Sequence, residues 1–346
     1  MMRRALALAA NGLFTTTPNP RVGCVIAEGE AIVGEGWHAR AGEPHAEALA
    51  LAAAGARAAG ATVYVTLEPC SHYGRTPPCA GALINARVAR VVAAVRDPNP
   101  AAGRGGEALA AAGVRFQHGL LADEARELNI GFFSRVTRGR PWVRLKVAAT
   151  LDGRSALADG RSQWITGEAA RRDAHHWRAR ACAVLTGIGT VRADDPQLTV
   201  REVQTARQPL RVVVDSRLET PPSARILRGG NVLLFAARPG PAPGGAEVVV
   251  LPNARGKVEL PRLLEELGRR GINELHVEAG FRLNGSLVRE GCVDEVLLYL
   301  NPSLLGDSAQ GLVDLAAPRG LDERLRLAIR SLERVGEDLR IVARPA

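Results

Sequence analysis

Lysine and aromatic residues are scarce in this sequence. Only Lys146 and Lys257 are lysines among 45 basic residues, and Phe, Trp and Tyr together make up 4% of the 346 residues. The formal charge of +9 is spread evenly, since residues 1–140 hold 15 basic against 11 acidic side chains and the remainder holds 30 against 25. No basic run is interleaved with aromatic residues, so we expect no nucleic-acid partner.

Cysteines and long apolar runs are also few. The five cysteines are odd in number and widely separated, which is unlike a disulfide framework and fits a reducing cytoplasm. No stretch approaches the roughly 18 apolar residues of a membrane span. Arg3-Arg4 and the short apolar run that follows are better explained by an amphipathic first helix than by a signal peptide. We therefore expect a cytoplasmic protein that does not enter the membrane.

Two common sequence patterns are missing as well. No Gly-x-Gly-x-x-Gly follows a strand and opens a helix, and no repeat of fixed period is visible. Helix and strand patterns alternate along a chain whose length suits two domains. A polar segment at 137–141 marks the predicted boundary, which gives domains 1–140 and 141–346, each an α/β sheet covered by helices.

Apolar periodicity predicts the elements of both halves. The predicted strands lie at 22–27, 31–36, 62–67, 90–95, 114–117, 142–147, 210–214, 231–235, 247–251, 274–277, 295–300 and 339–343. The predicted helices lie at 3–12, 79–86, 105–112, 122–134, 168–181, 260–270 and 284–290, with one more beginning at His45.

The first half carries one imidazole, two thiols and a spare carboxylate in an order typical of hydrolytic zinc sites. His45-Ala46-Glu47 is followed by Pro69-Cys70 and then by Cys79. Zinc with three protein ligands keeps a fourth position for water, whose pKa falls to about 7. In zinc-dependent nucleobase deaminases the Glu of this motif moves protons and does not bind the metal. We expect His45, Cys70 and Cys79 to hold Zn²⁺ and Glu47 to be catalytic.

The spacing of the two cysteines departs from the common deaminase pattern. Eight residues, Ser71 to Pro78, separate them where that pattern has two. A loop held by Gly74 and Pro77-Pro78 therefore replaces a tight turn, and it can line the substrate pocket. His72 is a competing ligand, although a loop histidine is more often a polar surface or pocket residue.

The second half offers weaker chemical signals. Glu278-Ala279-Gly280 ends a predicted strand and Leu283 to Ser286 opens a predicted helix, whose backbone N–H groups can bind an anion. A plain strand-to-helix turn explains the same residues. Lys146, Arg178 and Arg201 can clamp a substrate phosphate, but arginine is so common here that each alone is weak evidence.

Long motifs run through both halves of the sequence. In the first half they are TPNPRVGC at 17–24, GEPHAE at 42–47, VTLEPCSH at 65–72 and GRTPPC at 74–79. In the second half they are KVAATLDGR at 146–154, SQWIT at 162–166, DDPQLT at 194–199 and VEAG at 277–280. Together they resemble the bifunctional deaminase/reductase of riboflavin biosynthesis, and the eight-residue cysteine gap is that family's own form.

The resemblance implies a cytidine-deaminase-like α/β/α sandwich at the N-terminus and a dihydrofolate-reductase-like α/β domain at the C-terminus. It implies Zn²⁺ and NADPH as cofactors and 2,5-diamino-6-(5-phosphoribosylamino)pyrimidin-4(3H)-one as the small-molecule substrate. The first domain would replace the 2-amino group with oxygen, and the second would reduce the ribosyl unit to ribityl. We also expect a homo-oligomer.

The resemblance also implies roles for individual residues. Asn19 would help to hold the pyrimidine, with an Asn-Pro turn as the alternative. Lys146 and Asp194 would assist proton transfer or hold the ribose, unless Asp194 only caps a turn and Lys146 only binds phosphate. Phe281 is a departure, because relatives often have a smaller or Pro-containing segment there. The implied NADPH contacts are Ala148, Trp164, Thr190, Asp194, Ser216, Gly280, Phe281, Arg282, Leu283, Asn284, Gly285 and Ser286. The implied substrate contacts in this half are Ser162, Arg178, Leu198, Arg201 and Glu278.

Overall fold

The computed structural model describes residues 1–72, 77–102 and 104–346, which divide into two compact units, Met1–Gly139 and Arg140–Ala346. All five cysteines lie in the described ranges, and all are free thiols. None of the helices found in those ranges is both long enough and apolar enough to cross a membrane.

The first unit is built on a five-stranded sheet of order β2-β1-β3-β4-β5. Strand β1 runs antiparallel to β2 and β3, whereas β3, β4 and β5 are parallel. Its strands are β1 (Gly23–Glu28), β2 (Ala31–Trp37), β3 (Thr62–Val65), β4 (Arg90–Ala93) and β5 (Arg115–His118). Its helices are α1 (Met2–Ala10), α2 (Ala46–Ala54), α3 (Cys79–Asn85), α4 (Gly105–Ala111), α5 (Ala122–Leu128) and α6 (Ile130–Arg138).

Helices cover both faces of this sheet. Because side chains alternate along a strand, Cys24 and Ile26 of β1 face one apolar cluster with Ala50 of α2, while Val25 faces the other with Phe132 of α6. The layers therefore form the α/β/α sandwich that the sequence predicts.

Helix α2 lies unusually close to β2. A Cβ atom at Gly36 would stand 2.4 Å from the carbonyl oxygen of Ala46, so only glycine permits this approach. The close packing fixes the N-terminal end of α2, where His45 and Glu47 lie.

The second unit contains a nine-stranded sheet of order β11-β10-β9-β8-β12-β6-β13-β16-β15. The first seven strands of this order, from β11 through β13, are parallel to their neighbours. Strands β16 and β15 complete the sheet and run antiparallel to their neighbours. The nine are β6 (Trp142–Thr150), β8 (Ala183–Gly187), β9 (Leu210–Val214), β10 (Val232–Ala236), β11 (Glu247–Val250), β12 (Glu274–Val277), β13 (Glu295–Asn301), β15 (Leu327–Val335) and β16 (Asp338–Pro345), while β7 (Arg154–Ala156) and β14 (Gln310–Gly311) pair separately. The helices are α7 (Glu168–Arg180), α8 (Ile188–Asp194), α9 (Leu260–Arg269) and α10 (Phe281–Arg289).

The two faces of this sheet differ in polarity around β6. Val143 and Leu145 point into an apolar cluster with Leu263 of α9. The alternate residues of β6 include Arg144, which is 1% exposed and stacks on Trp177 of α7 at 4.4 Å. Glu274 and Glu295 on the flanking strands pair with Arg144, so a buried charge network replaces apolar packing on this face.

Several element predictions need correction. The helix predicted at 122–134 is two helices, because the buried side chain of Asn129 accepts from Arg21 N at 2.7 Å and donates to Arg21 O at 2.9 Å. The helix predicted to begin at 284 begins at Phe281. Strands β8 and β15 were not predicted at all.

Candidate functional site

Three side chains of the first unit form a group suited to a metal ion. His45 is the residue that precedes α2, Cys70 follows β3 in a loop, and Cys79 is the first residue of α3. The ligand atoms lie within 4.8 Å of one another, with His45 Nδ1 at 3.3 Å from Cys79 Sγ and 3.7 Å from Cys70 Sγ. One nitrogen and two sulfur donors fit a zinc site with an open fourth position.

The environment of Cys70 favours a thiolate, which is the form that binds metal. Hydrogen bonds from the Cys79 thiol and from His45 lower the pKa of Cys70 to about 4, although burial opposes them. The backbone N–H of Cys79 also donates to Cys70 Sγ at 3.4 Å. His72 is absent from the metal-binding group found among the described residues, and Tyr73 to Thr76, including Gly74, lie outside them.

Glu47 lies one residue inside α2 and is 3% exposed. Burial raises the pKa of its carboxyl group to about 6, with a smaller contribution from the charge on Cys70. A carboxyl group with this pKa accepts and releases protons readily near neutral pH. The geometry therefore places a proton carrier beside the three donors without making it part of their group.

Glu68, which precedes Pro69 and Cys70, has a structural part. Its carboxylate accepts from the backbone N–H of Gly106 at 2.8 Å and of Asp97 at 3.3 Å. These bonds tie the Cys70 loop to the segments after β4 and at the start of α4. Glu68 is 6% exposed, and its carboxylate is not part of the metal-binding group of the described residues.

His38 is a polar residue at this site that the sequence reasoning missed. Its Nδ1 lies 3.1 Å from Pro44 O and its Nε2 lies 3.0 Å from Asn19 Nδ2. Because a carbonyl only accepts, His38 carries its proton on Nδ1, and Nε2 accepts from Asn19. Burial lowers the pKa of His38, in keeping with a neutral ring. Asn19 Oδ1 is thereby left as the acceptor for a ligand.

The signal that could have identified His38 is its position directly after an apolar strand, seven residues before His45. The two rings meet edge to face at 5.3 Å between centroids. This contact joins the predicted pyrimidine contact, Asn19, to the metal-binding group through one intermediate side chain.

The cofactor contacts implied for the second unit follow the carboxyl edge of adjacent strands. Ala148 lies near the end of β6, Gly280 follows β12, Thr190 lies in the helix after β8, and Ser216 follows β9. The order β6, β12, β8, β9 is also the order of these strands in the sheet. Ligands of open α/β sheets bind at this edge, so the four positions lie on one path.

Helix α10 begins within the segment from Gly280 to Ser286, which follows β12 and contains implied cofactor contacts. Gly280 precedes the helix and its carbonyl accepts from Asn284 N at 3.1 Å, so the N–H groups of residues 281–283 remain at the helix end. Asn284 is 2% exposed, Gly285 packs against the backbone of Asp314, and Ser286 donates to Arg282 O. The structure thus brings Gly280 to Leu283 to the edge and holds Asn284 to Ser286 inside the helix.

Trp164 offers a flat apolar surface near the same edge. Trp164 is 70% exposed, and the guanidinium carbon of Arg171 lies 4.8 Å from the centroid of its ring. The neighbouring Gln163 donates to Asp194 Oδ1 at 3.4 Å, and burial raises the pKa of Asp194. An exposed indole suits stacking against a planar ring, and together with the helix end after Gly280 it fits a dinucleotide.

The implied substrate contacts Arg178 and Glu278 pair with each other. Arg178 Nη2 donates to Glu278 Oε2 at 2.8 Å and Nε donates to Oε1, while Nη1 donates to Thr199 O at 3.1 Å. Lys146 is close enough for its pKa to respond to both: burial lowers it, Glu278 raises it and Arg178 lowers it. His276 lies beneath this pair, with Nε2 at 3.5 Å from Glu278 Oε1.

The remaining implied contacts are less tightly grouped. Arg201 is largely exposed. The burial of part of its side chain and the charge of Arg178 lower its pKa. Leu198 is 4% exposed and packs in an apolar cluster with Val184. Ser162 lies half-buried in the loop before α7 and accepts at its carbonyl from Ile165 N.

Two family models match the chain. Residues 1–95 match the cytidine and deoxycytidylate deaminase zinc-binding region, and residues 141–341 match the RibD C-terminal domain. Together they account for the metal-binding group in the first unit and for most of the second.

Curated relatives and solved structures are similar over nearly the whole length. The riboflavin biosynthesis protein RibD of Escherichia coli (strain K12) is 48% identical over 98% of this chain and 96% of its own length. The RibD protein of Aquifex aeolicus is 42% identical over 98% of this chain and 96% of its own length. The Acinetobacter baumannii RibD structure matches with a TM-score of 0.93 at 43% identity, covering 100% of this chain and 98% of that one. The structure of a Thermotoga maritima diaminohydroxyphosphoribosylaminopyrimidine deaminase/5-amino-6-(5-phosphoribosylamino)uracil reductase matches with a TM-score of 0.90 at 32% identity. The match covers 100% of this chain and 97% of that one.

Proposed function

The chain belongs to the RibD family of riboflavin-biosynthesis proteins, and from this membership we propose how its two units divide two reactions. It is a bifunctional deaminase and reductase with zinc and NADPH as cofactors, and both predicted fold classes are confirmed. We assign the deaminase to residues 1–140 and the reductase to residues 141–346.

The proposed substrate is 2,5-diamino-6-(5-phosphoribosylamino)pyrimidin-4(3H)-one. Water replaces the 2-amino group and ammonia leaves, which gives 5-amino-6-(5-phosphoribosylamino)uracil. NADPH and a proton then convert the ribosyl unit to ribityl, which gives 5-amino-6-(5-phosphoribitylamino)uracil. The name of the Thermotoga maritima relative describes these two activities and supports the assignment.

For the deaminase, His45, Cys70 and Cys79 hold the metal. Bound zinc supplies the Lewis acidity that makes a water molecule nucleophilic at neutral pH. Glu47 would take one proton of that water and pass it to a ring nitrogen, and it would then move the remaining proton from the hydroxyl group added to the ring carbon to the departing amine. Its pKa of about 6 suits both acceptance and release of a proton. Asn19, oriented by His38, presents Oδ1 to an N–H of the pyrimidine.

For the reductase, NADPH supplies hydride, and the chain holds the reactants together. The N–H groups at the start of α10 bind cofactor phosphate, and Trp164 stacks on a planar ring of the dinucleotide. Arg178 and Arg201 hold the substrate phosphate, and Glu278 accepts from a ribose hydroxyl.

A proton must reach the ribose oxygen when the sugar ring opens, and Lys146 and Asp194 are its proposed sources. Burial lowers the pKa of Lys146, which makes its ammonium group a stronger acid than an exposed one. Burial raises the pKa of Asp194, which helps that carboxyl group to retain a proton. The direction of each shift favours release of a proton by Lys146 and retention of one by Asp194.

The single observation that carries the proposal is the convergence of three metal ligands beside the buried Glu47. A coupled assay tests it. The zinc-loaded protein is given the diaminopyrimidine, and ammonia and NADPH are measured together. Ammonia should form with or without NADPH, and NADPH should be oxidised only after deamination. Ammonia release without any NADPH oxidation would remove the reductase assignment.

We propose a cytoplasmic location and a homo-oligomer on separate grounds. Five free thiols are in keeping with a reducing compartment. Strand β15 is an edge strand of the nine-stranded sheet. It carries Ile329 and Leu332, which are 62% and 56% exposed. An exposed, partly apolar strand edge is a template for pairing with another chain.

A further inference from the structure

We propose that Arg217 and Arg238 bind the 2′-phosphate of NADPH and thereby select it over NADH, an inference that rests on the proposed reductase function. Arg217 follows β9 and Arg238 follows β10, which are neighbouring parallel strands. Their carboxyl ends therefore deliver both guanidinium groups to the same edge of the sheet.

The loops that carry the two arginines pack directly against each other. Ala237 N donates to Ser216 O at 3.1 Å, and Arg238 Nη2 donates to Arg217 O at 3.4 Å. Gly240 also lies close to this contact, since a Cβ atom there would stand 2.9 Å from Leu218 Cδ1. The two guanidinium groups are thus attached to one connected surface.

This surface has more positive charge than its carboxylates balance. Glu219 alone pairs with both Arg192, at 3.2 Å, and Arg217, at 3.0 Å. Arg238 has no carboxylate within ion-pair distance in the part of the chain that the structure describes, and its guanidinium group donates to the carbonyl of Arg217. Three guanidinium groups with one carboxylate make a site suited to a phosphate dianion.

The arginines continue the path of the implied cofactor contacts. That path runs along the sheet edge from Ala148 on β6 through the turn after β12 and Thr190 after β8 to Ser216 after β9. Strand spacing is about 4.8 Å, so the β9 edge lies roughly 10 Å from the phosphate-binding turn after β12. Arg217 is the next residue after Ser216, and Arg238 lies one strand further, where the adenosine end of the cofactor would reach.

Asp215, the acidic residue directly after β9, is already engaged in hydrogen bonds and is not available to accept one from a ribose hydroxyl. In the NAD sites of Rossmann folds, an acidic residue accepts from the ribose 2′-hydroxyl. Here Asp215 is fully buried, and one of its oxygens accepts from Thr220 N at 2.7 Å and Thr220 Oγ1 at 2.8 Å. Its other oxygen is the acceptor for Arg217 N at 3.4 Å. Asp215 therefore shapes the turn, and the carboxylate of Glu219, the other acid of this loop, is paired with Arg192 and Arg217.

The test compares two adenosine nucleotides that differ only at the 2′ position. Adenosine 2′,5′-bisphosphate and adenosine 5′-monophosphate are titrated calorimetrically into the full-length protein, its Arg217→Gln and Arg238→Gln variants, and the double variant. Wild type should bind the bisphosphate more tightly. Each variant should lose about 10-fold in bisphosphate affinity, as expected for one charge-assisted contact, and should retain its affinity for the monophosphate. Arg330→Gln, an exposed arginine on β15, is the matched control and should change neither value.

Each outcome separates this inference from the reductase assignment. Variants that bind the bisphosphate as tightly as wild type, or that weaken both nucleotides equally, would overturn the role of the arginines. If wild type binds neither nucleotide nor NADPH, the reductase assignment itself fails. A folded double variant is recognised by its unchanged zinc content and circular dichroism spectrum.

Discussion

Arg178 and Glu278 form a two-contact ion pair that joins α7 to the end of β12, with Arg178 Nη2 at 2.8 Å from Glu278 Oε2. Both side chains are 13% exposed. Burial alone would raise the pKa of Glu278, but Arg178 outweighs it and holds that pKa well below its usual value. Both residues are also proposed substrate contacts, so this pair links the stability of the second unit to its binding site.

Glu278→Gln should destabilise the second unit and weaken substrate binding. The variant keeps the shape of the side chain but leaves the buried Arg178 without its counter-charge, which costs about 3 kcal/mol or more. Denaturant unfolding and the KM of the reductase for its pyrimidine substrate measure the two effects. Glu168→Gln removes an exposed pair with Arg172 and should cost less than about 0.5 kcal/mol. Equal stability losses in the two variants would contradict the buried pair.

The same pair predicts an acid dependence. A carboxylate whose folded pKa is depressed stabilises the fold fully above its unfolded pKa, about 4.3 for Glu, and loses that contribution as pH falls through the folded value. The stability difference between wild type and Glu278→Gln should therefore be constant from pH 7 to about pH 5 and shrink only in stronger acid. A difference that disappears already between pH 7 and pH 5 would point to another group.

Glu47→Gln should retain zinc and lose deamination. The amide cannot carry the proton between water and the leaving amine, so the rate should fall by about 10²-fold to 10⁴-fold. Metal analysis and ammonia release measure the two properties. The same variant supplied with the deaminated intermediate should still oxidise NADPH, which is its internal control. Full deamination by this variant would sink the assignment of Glu47.

Cys79→Ser should lose both zinc and deamination. Cys79 Sγ lies 3.3 Å from His45 Nδ1, and a serine hydroxyl is a poor zinc ligand at neutral pH. Metal content per chain should fall markedly after dialysis against a chelator that wild type withstands. Cys182→Ser replaces a buried thiol of the second unit that is outside the metal-binding group, and it should keep its zinc.

The sequence predicts the three side chains that the structure brings together, because their motifs are local. His45 and Glu47 share one helix end, and the residues around Cys70 and Cys79 form continuous motifs. His38 was missed because its function depends on two contacts, with Asn19 and Pro44, that only the folded chain brings together. Its position after an apolar strand and before His45 is a signal, but it does not show which groups the ring contacts.

The missed and misplaced elements have physical causes. Strand β8 is buried along all five residues, so it lacks the alternation that indicates a strand, and it follows closely after α7. Strand β15 is mostly exposed, and its apolar residues do not alternate with polar ones, since Leu327, Ala328 and Ile329 are consecutive. The break at Asn129 depends on a hydrogen-bond pair to Arg21, more than 100 residues away in the chain. Each of these is a tertiary effect that periodicity does not contain.

His175 should make the second unit less stable in mild acid. Burial, with the charges of Arg178 and Arg201, lowers the pKa of His175 to about 4, and its Nδ1 accepts from Arg201 N at 3.2 Å. The unfolded chain binds this proton near pH 6.5, so stability is complete above pH 6.5 and falls as pH decreases toward about 4. The loss should be of the order of 2 kcal/mol.

Unfolding free energies of wild type and His175→Gln between pH 7.5 and 4.5 measure this effect. Glutamine has no proton to gain, so the slope with pH should be smaller in the variant. His176→Gln, which changes the exposed neighbour on the same helix, is the control and should keep the wild-type slope. Parallel curves for wild type and His175→Gln would show that other groups cause the acid sensitivity.

Charge placed on the exposed side of β15 should dissociate the proposed homo-oligomer. Ile329 and Leu332 are more than half exposed on a nine-residue edge strand, and a second copy of the chain would cover them. Ile329→Glu would put a carboxylate into that contact, whose desolvation disfavours association by several kcal/mol. Light scattering after size exclusion should show a smaller particle than wild type. Arg330→Gln on the same strand should leave the mass unchanged, and a monomeric wild-type protein would contradict the proposal directly.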